Sequence, residues 1–388
     1  MCEKLLCGVS REDITPPVGG RLFGYRDNVF SESVHDNLNV TAFAFSQGNT
    51  KAMMISATVC SVSIAVDEEI RQKISDETGI PFGNIILGAT HTHSGPNTSG
   101  GVGWGDIDRE YCDSIFIPRI YKAATDAFKS LVPVKMGFAI GNSLVGINRR
   151  QLGVNNEAGL GQRPWGPFNP KMTVVTFKSD EGNTVGNMIF YGCHGTSAGM
   201  NHEISRDWSG IMCDSVENVS GGLTGFFVGP EGDVGPRLTN GRTTGNISYT
   251  EELGGLAASD AVRIYRQIVG VSDIVLSCAC TELRIPLQNR ISREEAKKLY
   301  DETEGETVNI KGRYNNYARN VLSSYDEGYV NKEYIPHMQT AIRLGNIVFI
   351  SFGYELFSEV GMRINEYATN CEVISLALAN GSAGYFVT

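Results

Sequence analysis

Six of the 388 residues are histidine, and two of them, His91 and His93, stand one residue apart in "GATHTHSGPN" (Gly88–Asn97), directly after an apolar run. Side chains alternate across an extended segment, so residues i and i+2 point to the same side and both imidazoles can face one ion or one substrate. The ends of the other apolar runs carry comparable groups. "NMIFYGC" is followed by His194, "TGFFVG" runs into Pro230, Glu231 and Asp233, "NIVFISFGY" ends at Glu355, and "EVISLALANGSAG" ends at Tyr385. Two imidazoles and a carboxylate with an open position suit a catalytic zinc. A tyrosine beside a dication can ligate as phenolate, because the positive charge lowers its pKa, or it can steady an oxyanion. Each residue alone has a plain structural role: a hydrogen-bonded loop pair for His91 and His93, packing for His194, a helix cap for Glu355, core for Tyr385. Their shared placement at strand ends shifts the balance toward a metal, because open α/β sheets bind ligands outside the carboxyl ends of their strands.

The elements that must position these groups are legible as short runs. "KAMMISATV", "NIILGAT", "TVVTF", "NMIFYGC", "TGFFVG", "NIVFISFG" and "EVISLALA" have strand length and are bounded by Gly, Asn, Pro or charge. Helical patterns lie between them: Val66–Thr78, a long stretch from Asp106 to Leu131 that Pro118 should kink or divide, and Glu251–Val269, weakened by Gly254 and Gly255. A further helix opens with a capping box at Ser292 and Glu295. This alternation predicts an α/β fold, a mixed β-sheet core flanked by helices with the metal site at strand ends. The chain reads as one domain over 1–388 with a helical excursion at about 289–332, and "GLGQRPWGPFNP" reads as a long ordered loop of the kind that often lines sites.

Composition narrows the function classes. The net charge of −10 argues against a nucleic-acid partner, which needs a basic face to displace counterions. No run approaches the roughly 18 apolar residues of a membrane span, so no integral membrane segment is expected. The N-terminus lacks a long apolar stretch, and nine scattered cysteines read as small buried hydrophobes, Cys278 and Cys280 as strand packing; the expectation is a reduced, cytoplasmic protein. His35, His202 and His337 are expected to be structural.

At the residues that carry the chemistry, the chain resembles the catalytic domain of the neutral/alkaline, non-lysosomal ceramidase family. "GVSREDITPP" followed by Gly24 and Tyr25, "ATHTHSGP", "GINRR", "NPKMTVVTF", "CHGTSAGMNHEISRDWSG", "GPEGDVGP", "GYELF" and "LANGSAGYFVT" match its motifs collinearly. The resemblance implies a ceramidase-like catalytic domain with zinc (Zn2+) held by His91, His194, Glu355 and Tyr385. It gives His93 and Arg149 to substrate binding and oxyanion stabilisation, and Gly24 to the pocket wall. Asp207 is a proton-transfer candidate or the cap of the helix starting at "DWSGIMCDSV".

Three departures accompany the match. Gly235 stands where the family has the active-site serine of G-D-V-S-P, Ser382 replaces the first tyrosine of the L-A-N-x-Y block, and the family's immunoglobulin-like C-terminal domain is not expected here. A zinc-activated water needs no serine, since the ion lowers the pKa of its water to roughly 7. The expected function is therefore zinc-dependent hydrolysis of a C–N amide bond in a small-molecule, lipid-amide or peptide substrate, with Gly235 opening space beside the metal and His93 or Asp207 protonating the amine. Amide formation or acyl transfer on the same site, and a metal-binding pseudoenzyme, are the alternatives. An oligomer that completes the pocket is compatible with the sequence.

Overall fold

All seven apolar runs form strands, as their length, branching and turn-forming borders dictate. The structure, a computed structural model, describes residues 3–26, 28–101, 105–153, 158–287, 290–305 and 310–388. The chain falls into two compact units, Met1–Cys280 with Gln339–Thr388, and Thr281–Met338.

The first unit is built on an eight-stranded mixed sheet. In chain order its strands and flanking helices are β1 (Leu6–Asp13), β2 (Asn39–Gln47), β3 (Thr50–Ala57), α1 (Ile64–Thr78), β4 (Ile85–Ala89), α2 (Ile117–Lys129), β5 (Val132–Asn142), β6 (Lys171–Ser179), β7 (Thr184–Tyr191), α3 (Trp208–Ser220), β8 (Leu223–Val228) and α4 (Ile247–Tyr265). The spatial order is β8-β7-β6-β5-β1-β2-β3-β4. A second, four-stranded sheet has the order β9 (Leu276–Pro286), β10 (Tyr334–Leu344), β11 (Ile347–Ser351), β12 (Glu372–Leu376), with α7 (Ser358–Tyr367) connecting its last two strands. Phe43, Phe45, Met54, Phe177, Phe190 and Phe227 of the large sheet pack against Ile342, Leu344, Phe349 and Leu376 of the small one. The mixed α/β architecture is the one the sequence predicts.

Within these two sheets three strand pairs run parallel: β3 with β4, β7 with β8, and β11 with β12. The large sheet curls until its outer strands meet. Ser56 Oγ on β3 donates to the Phe226 carbonyl of β8 at 2.6 Å, and Gly88 on β4 leaves just enough room for the Phe227 ring. The segment Ala377–Asn380, directly after β12, ties both edges. Ala377 N–H donates to Val228 O (3.0 Å), Asn380 N–H donates to Leu87 O (2.9 Å), and Asn380 Oδ1 accepts from Leu87 N–H (2.9 Å). Leu378 and Asn380 take φ of 48° and 62° to do so, in the left-handed region that non-glycine residues seldom enter.

The helices follow their caps. α1 starts two residues before the expected Val66, because Ser63 Oγ accepts from Val66 N–H, and it stops at Gly79 with φ 65°. Pro118 does not divide its helix; Cys112–Phe116 widens to a π-helical turn just before it, accommodating a ring that cannot join the regular ladder. α4 begins at Ile247, capped by Asn246, and Gly254 lets it press against Ile211 of α3, where a Cβ would lie 2.8 Å away. The second unit contains α5 (Arg293–Glu302) and α6 (Ile310–Asp326), and both bonds of the Ser292–Glu295 capping box are present. Asn289, the first residue of the expected helical excursion, and residues 306–309 within it lie outside the described residues.

Among the described residues no helix is long and apolar enough to cross a membrane, and the eight described cysteines are free thiols.

Candidate metal centre

The parallel pairs decide where the chemistry collects. His91 follows β4, His194 follows β7, Glu231 follows β8, Glu355 follows β11 and Tyr385 follows β12. The curl of the sheet brings the first three together, and the pairing of Glu355 with Tyr385 in a short parallel bridge adds the other two.

The ligand atoms of His91, His194 and Glu355 all lie within 4.8 Å of one another. Glu355 Oε2 is 3.1 Å from His194 Nε2 and 3.5 Å from His91 Nε2. Both imidazoles are anchored from behind. His91 Nδ1 donates to the Cys60 carbonyl (2.8 Å), and His194 Nδ1 to the carbonyls of Glu231 (2.9 Å) and Val234 (3.1 Å). With Nδ1 donating, each imidazole in its neutral form keeps Nε2 as the free acceptor, the tautomer a cation needs. His194 Nε2 and Glu355 Oε2 are buried with no hydrogen-bond partner among the described residues. Such orphans fit a divalent cation. His91 itself sits at φ 68°, strain typical of residues held by a functional constraint.

Charges around the three groups are unevenly set. Burial pulls His91 down, but the Cys60 sulfur and the Glu355 carboxylate outweigh it and hold the imidazole well above its usual range. Burial, with Arg149 and His91 adding to it, lowers His194 to about 3. For Glu355, burial pushes upward, yet His91 and His194 pull the carboxyl well below its ordinary value. Glu355 is therefore held as an anion between one imidazole whose charged form is favoured and one whose neutral form is favoured.

His93 Nε2 lies 3.4 Å from His91 Nε2, and its ring packs edge-on against Tyr25 at 5.1 Å. Burial and the neighbouring histidines lower its pKa far below the usual value, so it is neutral. Gly24 explains its own identity: φ is 127°, and a Cβ would lie 2.5 Å from the His93 ring. Arg149 donates from Nη2 to the Tyr385 hydroxyl (2.9 Å) and to the Gly232 carbonyl (3.2 Å). Burial, with Glu355 beside it, raises the Tyr385 phenol above its ordinary pKa.

The structure bears out one of the two readings of Asp207 and corrects that of Gly235. Asp207 is the N-cap of α3 and its carboxylate serves the groups around it: Oδ1 accepts from Ser197 N–H, Ser197 Oγ and Trp208 N–H, and Oδ2 from Ala198 N–H. Four donors of the protein itself bind this buried carboxylate, which is a structural use of its charge. Gly235 does not open space. It pairs with Ile147, and a Cβ there would lie 2.8 Å from Thr243 Cβ and 3.3 Å from Arg149 Cδ, so Thr243 already occupies the room. Gly235→Ser is accordingly expected to lower stability by about 1–3 kcal/mol through overpacking. Adding Thr243→Ala should restore most of the loss, as urea denaturation of the single and double variants would measure.

The remaining histidines lie elsewhere: His35 against Glu251 at 3.2 Å, His202 donating to the Phe30 carbonyl at 2.8 Å, and His337 on β10 in the second unit.

Two neighbours, Cys60 and Arg150, escaped sequence reading, and a third, Glu231, was placed at a strand end without a role. Cys60 Sγ is 3.6 Å from His91 Nδ1, where its position after β3 was the available signal. Glu231 is fully buried with both carboxylate oxygens unpartnered among the described residues, and burial drives its pKa well up. Arg150 stacks over Phe357 and Tyr385, with its guanidinium carbon 4.9 and 5.4 Å from the ring centres.

The family model of the N-terminal part of neutral/alkaline non-lysosomal ceramidase matches residues 5–246. The chain belongs to that family. Neutral ceramidase A of Dictyostelium discoideum is 30% identical over 268 residues, 61% of this chain and 36% of that protein. A neutral ceramidase of Oryza sativa subsp. japonica is 25% identical over 230 residues, 55% of this chain and 29% of that protein. The chain thus spans about a third of the length of the curated relatives it matches. The fold is that of neutral ceramidase from Pseudomonas aeruginosa, with a TM-score of 0.75 at 18% identity over 100% of this chain and 69% of that one.

Proposed function

We propose that the chain is a zinc-dependent hydrolase of C–N amide bonds, with His91, His194, Glu355 and Tyr385 as the ligand set. The observation that carries this reading is the convergence of three buried ligand atoms within 4.8 Å, both imidazoles oriented by backbone carbonyls. Family membership supports amide cleavage as the chemistry. Bound there, zinc supplies Lewis acidity toward an amide carbonyl and a lowered pKa for an attacking water.

The chain's own residues do the rest. Arg149 is fixed by Tyr385 and Gly232, so its guanidinium is preorganised where a carbonyl oxygen gains charge. One such donor is typically worth about 3–4 kcal/mol of barrier. Neutral His93 can donate from one ring nitrogen and accept at the other, which suits delivery of a proton to the departing amine. Asp207 acts through position: it orders the turn after His194, and Trp208 Nε1 beside it donates to the His194 carbonyl at 2.9 Å.

The test is to purify the chain without added metal, measure bound metals by mass spectrometry, and follow cleavage of N-acyl amides with and without chelator. One zinc per chain and chelator-sensitive amine release are expected. A chain that takes up no stoichiometric metal even when zinc is offered ends this reading.

A further inference from the structure

Arg150 has no place in the reaction just described, yet its guanidinium lies against the Tyr385 ring. Both Arg149 and Arg150 spend an Nη2 on the same acceptor, the Gly232 carbonyl, at 3.2 and 3.1 Å. Two like charges sharing one neutral acceptor repel each other. Arg149 is 4.0 Å from Glu355 Oε2; Arg150 has no carboxylate within 4.0 Å among the described residues. The Nε of each arginine is buried and unpartnered among the described residues. Arg150 is held instead by the faces of Phe357 and Tyr385, which fix its plane without neutralising it.

Half-buried cations are ordinarily paired, because removal from water costs several kcal/mol that a carbonyl alone does not return. The Nη1 of Arg150 makes no hydrogen bond among the described residues, and a planar guanidinium with donors to spare offers the fork that binds carboxylate and phosphate oxygens side by side. Tyr385 touches both arginines and adjoins Glu355, so an anion seated on the fork lies next to the bond being broken. A neutral lipid amide leaves this charge unanswered.

We propose that the site selects amides carrying a carboxylate or phosphate beside the scissile bond, with Arg150 as the residue that reads the anion. The proposal rests on the amide-hydrolase reading for the reaction, but its recognition element is independent of turnover.

Three dodecanoyl amides separate the possibilities: N-dodecanoylglycine (carboxylate), the phosphate ester of N-dodecanoylethanolamine, and N-dodecanoylethanolamine itself (neutral). Calorimetric affinities for the zinc-loaded chain should favour at least one anionic amide over the neutral one by roughly 10- to 100-fold, the value of a charge-assisted hydrogen bond or two. Which anion gains more identifies carboxylate or phosphate as the natural group. In Arg150→Gln, with zinc content and melting temperature checked, the anionic-to-neutral ratio should collapse at least tenfold. Arg150→Lys, which keeps the charge and loses the fork, should fall between. A ratio near one in the unaltered chain, or a ratio that survives Arg150→Gln, overturns the proposal, as does failure of all three amides to bind. Selective anion binding without amine release keeps the proposal and removes the hydrolase reading.

Discussion

Glu355→Gln is expected to strip the chain of its ion. The carboxylate is the only anionic member of the three converging groups, 3.1 Å from one imidazole and 3.5 Å from the other, and glutamine keeps its shape while removing the charge. Losing an outer-shell partner already costs about 10- to 100-fold in metal affinity, so losing a ligand charge should cost at least roughly 100-fold, with amide turnover falling in step. The pH dependence has a definite sign. His91 is held above its ordinary value of 6.5, and a cation needs it neutral, so zinc must displace a proton and affinity rises with pH up to the folded pKa.

The metal-free chain obeys the same linkage. The raised His91 contributes stability present below 6.5 and lost as pH climbs through its folded value; the depressed Glu355 contributes stability present above 4.5 and lost as pH falls through its own. The melting-temperature gap between the unaltered chain and Glu355→Gln in chelator should therefore be widest between 4.5 and 6.5. Equal zinc content after dialysis in both proteins would contradict the ligand assignment.

Asp207→Ala should be the most destabilising single change near the centre, by about 3–5 kcal/mol. The substitution orphans three backbone N–H groups and the Ser197 hydroxyl inside the protein, and it removes the cap of α3. It also leaves alanine at φ 57°, a conformation that aspartate and asparagine tolerate better. Asp207→Asn keeps that tolerance and one acceptor, so it should lose less than half as much. Denaturant midpoints measure this directly. The outcome that would return Asp207 to proton transfer is the opposite pattern: Asp207→Asn as stable as the unaltered chain but without turnover.

The sequence located the centre because the five groups sit immediately beyond apolar runs, and strand ends are local features. The short distances between them are not local. They depend on the curl that sets Phe227 against Gly88, which no single run encodes. Gly235 shows the same limit from the other side. In sequence a glycine looks like vacated space, and only the fold reveals that Thr243, eight positions later in the chain, fills it. Cys60 and Arg150 stayed hidden for different reasons. A lone cysteine after a strand has no spacing signature, and a second arginine beside Arg149 reads as an ordinary surface charge until Phe357 and Tyr385 are placed against it.

The strap Ala377–Asn380 bears on how the chain reaches this state. Asn380 and Leu87 are joined across 293 positions at the edge of β4. Pairings this distant in sequence carry a large loop-closure entropy and form late. Until the strap docks, β4 and β8 present unpaired backbone, the kind of edge on which chains associate. Assembly of the metal centre and suppression of self-association are thus one event, completed when the last tenth of the chain comes home.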